Sequence, residues 1–192
     1  MTTAFLCLAA YLIGSVPCGY LLGKWVYKTD LRTVGSGNIG ATNAYRAFGL
    51  PAAAAVLFCD LSKGILAVWL GEPDTVTALL CAICALIGND WSVFLKFKSG
   101  RGVACGLGLF VYLCPAAAGF GLALWAVMFA ATRLVSLASV CASACIPFFV
   151  WLVGYDEPYI WFSIAAAAIV IGKHKDNIGR LLRGEEKKIT QK

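Results

Sequence analysis

The sequence predicts an all-α integral membrane protein, a polytopic bundle of seven transmembrane helices with polar cytoplasmic loops. Of its 192 residues, 60% are hydrophobic and only 14% are charged, whereas about 25% of the residues in a soluble domain are charged. Apolar runs, several near the roughly 20 residues that cross a bilayer core, recur along the chain. Little sequence remains for a soluble domain, so residues 1–192 are expected to form a single membrane-embedded domain.

The apolar runs give seven candidate spans. They cover about residues 3–23, 50–70, 75–95, 102–117, 119–132, 134–153 and 158–172. The first run lacks the basic segment that precedes the apolar core of a signal peptide, and further spans follow it, so it is interpreted as the first helix. Glycine and alanine are frequent inside the runs, as close packing of helices in lipid requires.

Charged residues indicate how these spans are oriented. The loops 71–75, 115–119 and 154–158 carry four acidic residues and no lysine or arginine, whereas the opposite side carries every lysine and arginine except Lys63. Basic residues mark the cytoplasmic side, so the amino terminus is expected outside and the carboxyl terminus inside. The net charge of +6 is explained by attraction to the anionic lipid bilayer and does not indicate nucleic acid.

The first polar motif is TVGSGNIGATNAYRAFG, residues 33–49. It contains G-x-G-x-x-G, but a dinucleotide site needs a βαβ unit, and an apolar run precedes the motif here. Its glycines allow successive backbone N–H groups to face an anion, and its arginine suits phosphate. The candidate ligands are Ser36, Gly37, Asn38, Gly40, Thr42, Asn43 and Arg46. An ordinary polar turn is the alternative, although the length and donor density favour a binding loop.

A second motif, KSGRG, repeats this chemistry between two apolar runs. Its last glycine begins the next run, and a helix amino terminus with nearby cations favours a phosphate. The motif is not a P-loop, because G-x-x-x-x-G-K-[ST] is absent. The candidate residues are Lys98, Ser99, Gly100, Arg101 and Gly102. The alternative is that these cations only anchor the chain at the membrane surface.

Three further polar residues lie inside or directly after apolar runs. Asp60 and Lys63 are three residues apart and share one helical face; they form either a functional site or a structural ion pair. His174 is the only histidine and follows the last run, close to Asn177. It can donate a hydrogen bond to an anion, and no metal site is expected around it. The tail IGRLLRGEEKK is predicted to be a short amphipathic helix on the membrane.

Together these segments resemble the bacterial acyl-phosphate:glycerol-3-phosphate acyltransferase family. The resemblance covers nearly the whole chain and is carried by GSGNIGATNAYR, by FLKFKSGRGVA, which is close to the family's F-x-K-F-K-G-G-K-G-V-A-T, and by NIGRLLRGEE. Ser99 and Arg101 stand where the family usually has Gly and Lys. Cys105 replaces the usual Thr, and Asn89 stands where a His commonly follows the glycine.

The resemblance implies a bacterial inner-membrane enzyme that transfers a fatty acyl group from acyl phosphate to the 1-hydroxyl of glycerol 3-phosphate. Lysophosphatidic acid and phosphate would be the products, and no cofactor is implied. Ser36, Arg46, Arg101, His174 and Asn177 would hold glycerol 3-phosphate. Gly37, Asn38, Gly40, Thr42, Asn43, Lys63, Lys98, Ser99, Gly100 and Gly102 would shape the site or hold the acyl phosphate. The implied partners are the two substrates, the lipid bilayer and the soluble enzyme that makes acyl phosphate.

Two accounts of the proton transfer remain open. A substrate phosphate oxygen takes the proton, since a phosphate monoester has its second pKa near 6, or His174 is the general base; the first is favoured. Two other classes of membrane protein compete with the acyltransferase. An organic-anion or phosphate transporter would place its site near the midplane between repeats, and a CDP-alcohol phosphotransferase would need more aspartates than Asp60 and Asp90.

Overall fold

The computed structural model describes residues 2–189, and its regular structure in that range is helical. The α-helices are α1 Thr3–Ser15, α2 Cys18–Trp25, α3 Ala41–Phe48, α4 Leu50–Gly71, α5 Thr75–Asp90, α6 Val103–Leu113, α7 Pro115–Thr132, α8 Val135–Val153, α9 Glu157–Lys173 and α10 Lys175–Leu182. Two short 3-10 helices, Leu31–Thr33 and Val93–Leu95, lie in the connections.

Fewer helices than expected are long and apolar enough to cross a membrane. Within residues 2–189 there are four, namely α4, α7, α8 and the segment Thr75–Leu95 that begins with α5. Together α1 and α2 make a fifth, bent by 40° at their junction. Helix α6 has 11 residues and is about 16 Å long, roughly half the thickness of the hydrocarbon core. The all-α prediction is therefore confirmed, whereas the count of seven spans is not.

Proline residues set two helix boundaries that hydropathy alone does not locate. The break between α1 and α2 falls at Val16 and Pro17, because a proline has no N–H to continue the helical ladder. Pro115 is the first residue of α7, where its missing N–H costs nothing. The predicted spans 102–117 and 119–132 therefore meet four residues earlier than expected, at Cys114.

The polar segments also fold differently from the prediction. The segment 33–49, expected to be a loop, contains the two-turn helix α3. The tail helix α10 ends at Leu182, so the residues from Gly184 to Ile189 leave the helix and run back over the bundle. The expected amphipathic helix is thus shorter than the motif that suggested it.

Glycines bring the helices into close contact. A Cβ atom at Gly14 of α1 would collide with the backbone of Ala85 in α5, and one at Gly64 of α4 would collide with the backbone of Cys105 in α6. Small residues at such crossings are typical of helices that pack in lipid. These crossings hold α1 against α5 and α4 against α6, and the main buried core is formed mostly by side chains of α5 to α9.

Candidate active site

The first polar motif is organised around the side chain of Asn43, which is 1% exposed. Its Oδ1 accepts a hydrogen bond from the backbone N–H of Ser36 at 2.9 Å. Its Nδ2 donates to the carbonyl oxygens of Leu31, Val34 and Asn38 at 2.8–3.0 Å. The amide of Asn43 is therefore fully engaged in holding the loop, so its part in the site is to give the loop its shape.

Two glycines allow the loop to turn around that side chain. Gly35 and Gly37 have φ angles of 57° and 70°, a region that favours glycine. A Cβ atom at Gly35 would also collide with Oδ1 of Asn43. The Asn38 side chain accepts a hydrogen bond from the Gly40 N–H at 2.8 Å, which fixes the start of α3. The turn and the first residues of α3 then face one cavity.

This cavity has a volume of about 380 Å³ and joins a polar end to an apolar channel. The predicted residues that line it are Ser36, Asn38, Gly40, Thr42, Asn43, Arg46, Gly100, Arg101, Gly102 and His174. The channel runs between α6, α7, α8 and α9 and is lined mainly by alanine, glycine and larger apolar side chains. Three polar segments that are distant in sequence thus meet at the mouth of one apolar channel.

The two arginines in the cavity lack acidic partners. Among the described residues, no carboxylate lies within ion-pair distance of the Arg46 or Arg101 guanidinium. Arg46 donates from Nη2 to the carbonyl oxygens of Lys187 and Lys188, both at 3.2 Å. Its buried Nε has no hydrogen-bond partner. A buried donor without a partner is costly, and a bound anion would satisfy it.

Burial and mutual repulsion act on both guanidinium groups. Burial lowers the pKa of Arg101 from its ordinary value, and the Arg180 charge lowers it further. Burial also lowers the pKa of Arg46, and Arg180 adds to that effect. Both groups remain charged at neutral pH, because an arginine side chain is not deprotonated in proteins. The polar end of the cavity is therefore electropositive and incompletely solvated, which favours an anion.

His174 caps the end of α9 and is 2% exposed. Its Nδ1 lies 2.8 Å from the carbonyl oxygen of Val170. Since a carbonyl can only accept, Nδ1 carries a proton, and the neutral ring has its lone pair on Nε2. Burial lowers the pKa of His174, and the Arg101 charge lowers it further, although the Val170 hydrogen bond acts in the opposite sense. The neutral ring is suited to accept a hydrogen bond from a hydroxyl group.

Asn177 lies behind the cavity wall and does not line it. Its Nδ2 donates to Glu186 at 2.6 Å, and the same carboxylate forms an ion pair of 2.7 Å with Arg180. The Oδ1 of Asn177 is buried without a partner. The sequence motif contained Glu186 but gave no sign of its role, because the carboxylate reaches back across a turn that hydropathy does not reveal.

Lys63 is part of a buried ion pair that stabilises the bend in the first span. Its Nζ lies 2.9 Å from Asp60 and donates to the carbonyl oxygen of Val16 at 3.1 Å. That carbonyl lies at the break between α1 and α2 and also accepts a hydrogen bond from the Cys18 N–H at 3.1 Å. The geometry favours the structural alternative for Lys63, whereas Asp60 also lines the cavity.

Lys98 and Ser99 do not line the cavity that contains Arg101. With Gly37 they line a second cavity of about 730 Å³, together with the cations Arg32, Lys96, Lys173 and Lys175. Gly100 and Gly102 face the first cavity, and the N–H of Gly100 donates to the carbonyl oxygen of Asn89 at 3.0 Å. The KSGRG motif is thus divided between two cavities, which spacing along the chain did not reveal.

The arrangement can hold an amphiphile with an anionic head. Two arginines, backbone amides and one neutral histidine face the polar end, and the apolar channel begins directly beyond them. Within a bundle of membrane-spanning helices, these features define a membrane protein with an interior site suited to an anionic, lipid-like ligand.

Comparison with known proteins agrees with this class. The glycerol-3-phosphate acyltransferase family model matches residues 4–184. Glycerol-3-phosphate acyltransferase 2 of Moorella thermoacetica is 41% identical over 185 residues, covering 95% of each chain. The glycerol-3-phosphate acyltransferase of Desulforudis audaxviator is 42% identical over 183 residues, covering 94% of this chain and 92% of that protein.

Two solved structures of PlsY, an integral membrane glycerol 3-phosphate acyltransferase, share the fold. The glycerol 3-phosphate form has a TM-score of 0.90 and 36% identity, covering 97% of this chain and 94% of that chain. The lysophosphatidic acid form has a TM-score of 0.88 and 35% identity. The chain belongs to the glycerol-3-phosphate acyltransferase family and is an integral membrane protein, as the sequence motifs predicted.

Proposed function

We propose that the protein transfers a fatty acyl group from acyl phosphate to the 1-hydroxyl of glycerol 3-phosphate. The products are lysophosphatidic acid (1-acylglycerol 3-phosphate) and inorganic phosphate, the first step of phospholipid synthesis. One observation carries this proposal beyond membership of the family. A single cavity combines an electropositive end, which suits phosphate groups, with an apolar channel, which suits an acyl chain.

The proposed topology keeps seven membrane crossings in a bacterial inner (plasma) membrane. The bent pair of α1 and α2 is the first crossing, and α4 to α9 supply the others, with the short α6 crossing only part of the core. The acidic residues of 71–75 and 154–158 lie outside, and the basic segments lie in the cytoplasm. This orientation places the polar end of the cavity where glycerol 3-phosphate and the soluble enzyme that makes acyl phosphate are present.

Glycerol 3-phosphate is proposed to bind with its phosphate between Arg46 and Arg101. The unpartnered Nε of Arg46 and the guanidinium fork of Arg101 supply charged donors suited to that group. Ser36 is close by on the glycine loop, and Asn177 supports this end through Glu186. The lone pair of His174 Nε2 accepts a hydrogen bond from a glycerol hydroxyl.

The acyl phosphate is proposed to place its phosphate at the glycine loop and its chain in the channel. Ala41 and Thr42 are the first residues of α3 and line this cavity, and the helix dipole at that end favours an anion. Ten residues of α8 separate Ser136 from Ile146, and both line the cavity. That distance is about 15 Å, equal to one leaflet of a bilayer core about 30 Å thick.

The protein then has to position the two substrates more than it has to activate the acyl group. Acyl phosphate is a mixed anhydride with phosphate as the leaving group. The 1-hydroxyl oxygen of glycerol 3-phosphate bonds to the acyl carbon, the bond from that carbon to the phosphate oxygen breaks, and the hydroxyl proton passes to a phosphate oxygen. The arginines and loop amides stabilise the negative charge that develops on the acyl oxygen and the leaving phosphate.

The direct test is an assay with purified protein in detergent, without added metal. Hexadecanoyl phosphate and glycerol 3-phosphate are mixed with the protein, and released phosphate and lysophosphatidic acid are measured together. Equal amounts of both products, dependent on glycerol 3-phosphate, are expected. A transporter would release no phosphate. Loss of phosphate without lysophosphatidic acid would show hydrolysis and would contradict acyl transfer.

A further inference from the structure

We propose that Ile146, together with Gly121, forms the floor of the channel and sets the longest acyl chain that the protein accepts. This inference rests on the proposed function, because it assigns a chain-length limit to the acyl donor. Along each of the four helices around the channel, one lining residue lies furthest from the polar end. These residues are Phe110 in α6, Ala118 in α7, Ile146 in α8 and Ala166 in α9.

The four residues belong to one densely packed cluster, and each is at most 8% exposed. The ring of Phe162 packs below the floor, with its centroid 5.2 Å from that of Phe110. Val150, one turn beyond Ile146 on α8, is completely buried. The channel therefore ends inside the bundle and does not continue to the opposite side of the membrane.

Gly121 and Ile146 occupy the floor as a complementary pair. A Cβ atom at Gly121 would lie 2.7 Å from Cδ1 of Ile146, closer than two carbon atoms can pack. The isoleucine side chain fills the space that the glycine leaves between α7 and α8. A smaller residue at position 146 would deepen the channel, and a larger one would shorten it.

The wall above the floor is fixed in place. Trp125 lies one turn from Gly121 on α7, and its indole N–H donates to Ser139 of α8 at 3.1 Å. The same indole stacks on Phe129, with ring centroids 5.1 Å apart. A side chain held by both contacts cannot easily move aside for a longer acyl chain. The length limit therefore belongs to the floor, where Ile146 meets the end of the chain.

The experiment compares chain-length profiles for Ile146→Ala and Ile146→Phe. The first variant should raise kcat/KM for octadecanoyl phosphate relative to dodecanoyl phosphate, and the second should lower the same ratio, each by about tenfold or more. The KM for glycerol 3-phosphate should not change. Opposite shifts from one position distinguish a length limit from general damage to the fold. Leu152→Ala, a lipid-facing change on the same helix, should leave the profile unchanged.

A binding measurement separates this inference from the proposed function. Dodecyl, hexadecyl and octadecyl phosphates cannot transfer an acyl group, so their dissociation constants report channel length without turnover. If the dissociation constant for octadecyl phosphate shifts in opposite directions in Ile146→Ala and Ile146→Phe, Ile146 limits the chain length. This conclusion holds even when wild-type protein shows no acyl transfer. If wild-type protein transfers acyl groups while both Ile146 variants keep the wild-type ratio of kcat/KM for octadecanoyl over dodecanoyl phosphate, Ile146 does not set the chain length.

Failure of Ile146→Ala to fold would still leave a test. Gly121→Ala adds one methyl group against Cδ1 of Ile146 and should raise the floor, so octadecyl phosphate should bind more weakly while dodecyl phosphate binds as before. Equal weakening of both ligands in Gly121→Ala and Ile146→Phe would show loss of packing only and would overturn the proposal.

Discussion

Arg46 and Arg101 are the residues on which the proposed anion binding depends. They are 55 positions apart in the sequence, yet they line one cavity without an acidic partner among the described residues. The sequence singled out both as candidate phosphate ligands, because each lies in a polar motif rich in glycine. It did not show that the Asn43 amide is used inside the loop, since a short polar side chain can bind a ligand or the backbone equally well.

Arg101→Ala should lower kcat/KM by about 100-fold or more, as the loss of a buried donor to developing charge does in other enzymes. Arg101→Lys should retain much more activity, because the charge is kept while the planar fork is lost. Steady-state kinetics with both substrates measure this. Arg183→Ala, which removes an exposed arginine nearby, is the control. If Arg101→Ala is as active as wild-type protein, Arg101 has no role in the active site.

His174→Gln should raise the KM for glycerol 3-phosphate more than it lowers kcat, because Nε2 binds a hydroxyl while a phosphate oxygen takes the proton. An unchanged KM with a collapsed kcat would instead make His174 the general base. Michaelis–Menten kinetics with varied glycerol 3-phosphate, and saturating acyl phosphate, separate the two parameters.

The lowered pKa of His174 also predicts the sign of a pH effect. The folded protein favours the neutral ring, so protonation destabilises the fold as pH falls below about 6.5, the usual histidine pKa. The wild-type melting temperature should therefore drop more between pH 7 and pH 5 than that of His174→Gln. Equal drops in melting temperature for wild-type protein and His174→Gln would contradict the conclusion that the buried His174 ring is neutral.

At the scale of elements, hydropathy located the apolar helices but not their breaks, and the predicted number of membrane spans is not confirmed. The run 3–23 is continuous in hydropathy, yet Pro17 divides it, and the carbonyl oxygen of Val16 accepts hydrogen bonds from the Cys18 N–H and from Lys63. Helix α3 was missed because it is short and polar, and its eight residues are stabilised mainly by packing on α4. Local patterns cannot reveal elements whose stability comes from tertiary contacts.

Asn43→Ala should disorder the glycine loop and abolish activity. The change removes the donor to the carbonyl oxygens of Leu31, Val34 and Asn38 and the acceptor of the Ser36 N–H. Val34 keeps the Gly37 N–H as a donor, and each buried group left unsatisfied costs about 1–3 kcal/mol. Limited proteolysis between residues 31 and 43, measured alongside activity, detects the effect. Thr33→Ala, at an exposed position of the same segment, is the matched control. Protection equal to wild type would show that Asn43 does not hold the loop.

At the scale of the whole molecule, the three polar segments that line the cavity meet at one end of the bundle, and the acidic residues of 71–75 and 154–158 lie at the other helix ends. The sequence predicted this separation from charge alone, because alternate loops face opposite sides of a membrane. It did not predict the apolar channel, since the small residues that line it on α7, α8 and α9 have no distinctive spacing. Only the packing of these helices shows that they leave space for a chain.

An epitope tag inserted between Asp156 and Glu157 should be accessible to antibody on intact spheroplasts, whereas a tag after the carboxyl terminus should require permeabilised cells. The expectation follows from the acidic outer loop and the basic segment from Lys173 onward. Active protein must be confirmed for both insertions. Accessibility of the carboxyl-terminal tag in intact cells would reverse the proposed topology.

The most direct measurement is an experimental structure with glycerol 3-phosphate and hexadecyl phosphate bound together. The glycerol 3-phosphate group should lie within about 3 Å of donors from both Arg46 and Arg101, and the alkyl chain should run between α6 and α9 toward Ile146. If the phosphate instead lies in the second cavity against Lys98 and Lys173, or if the two ligands occupy separate sites, the shared pocket does not exist.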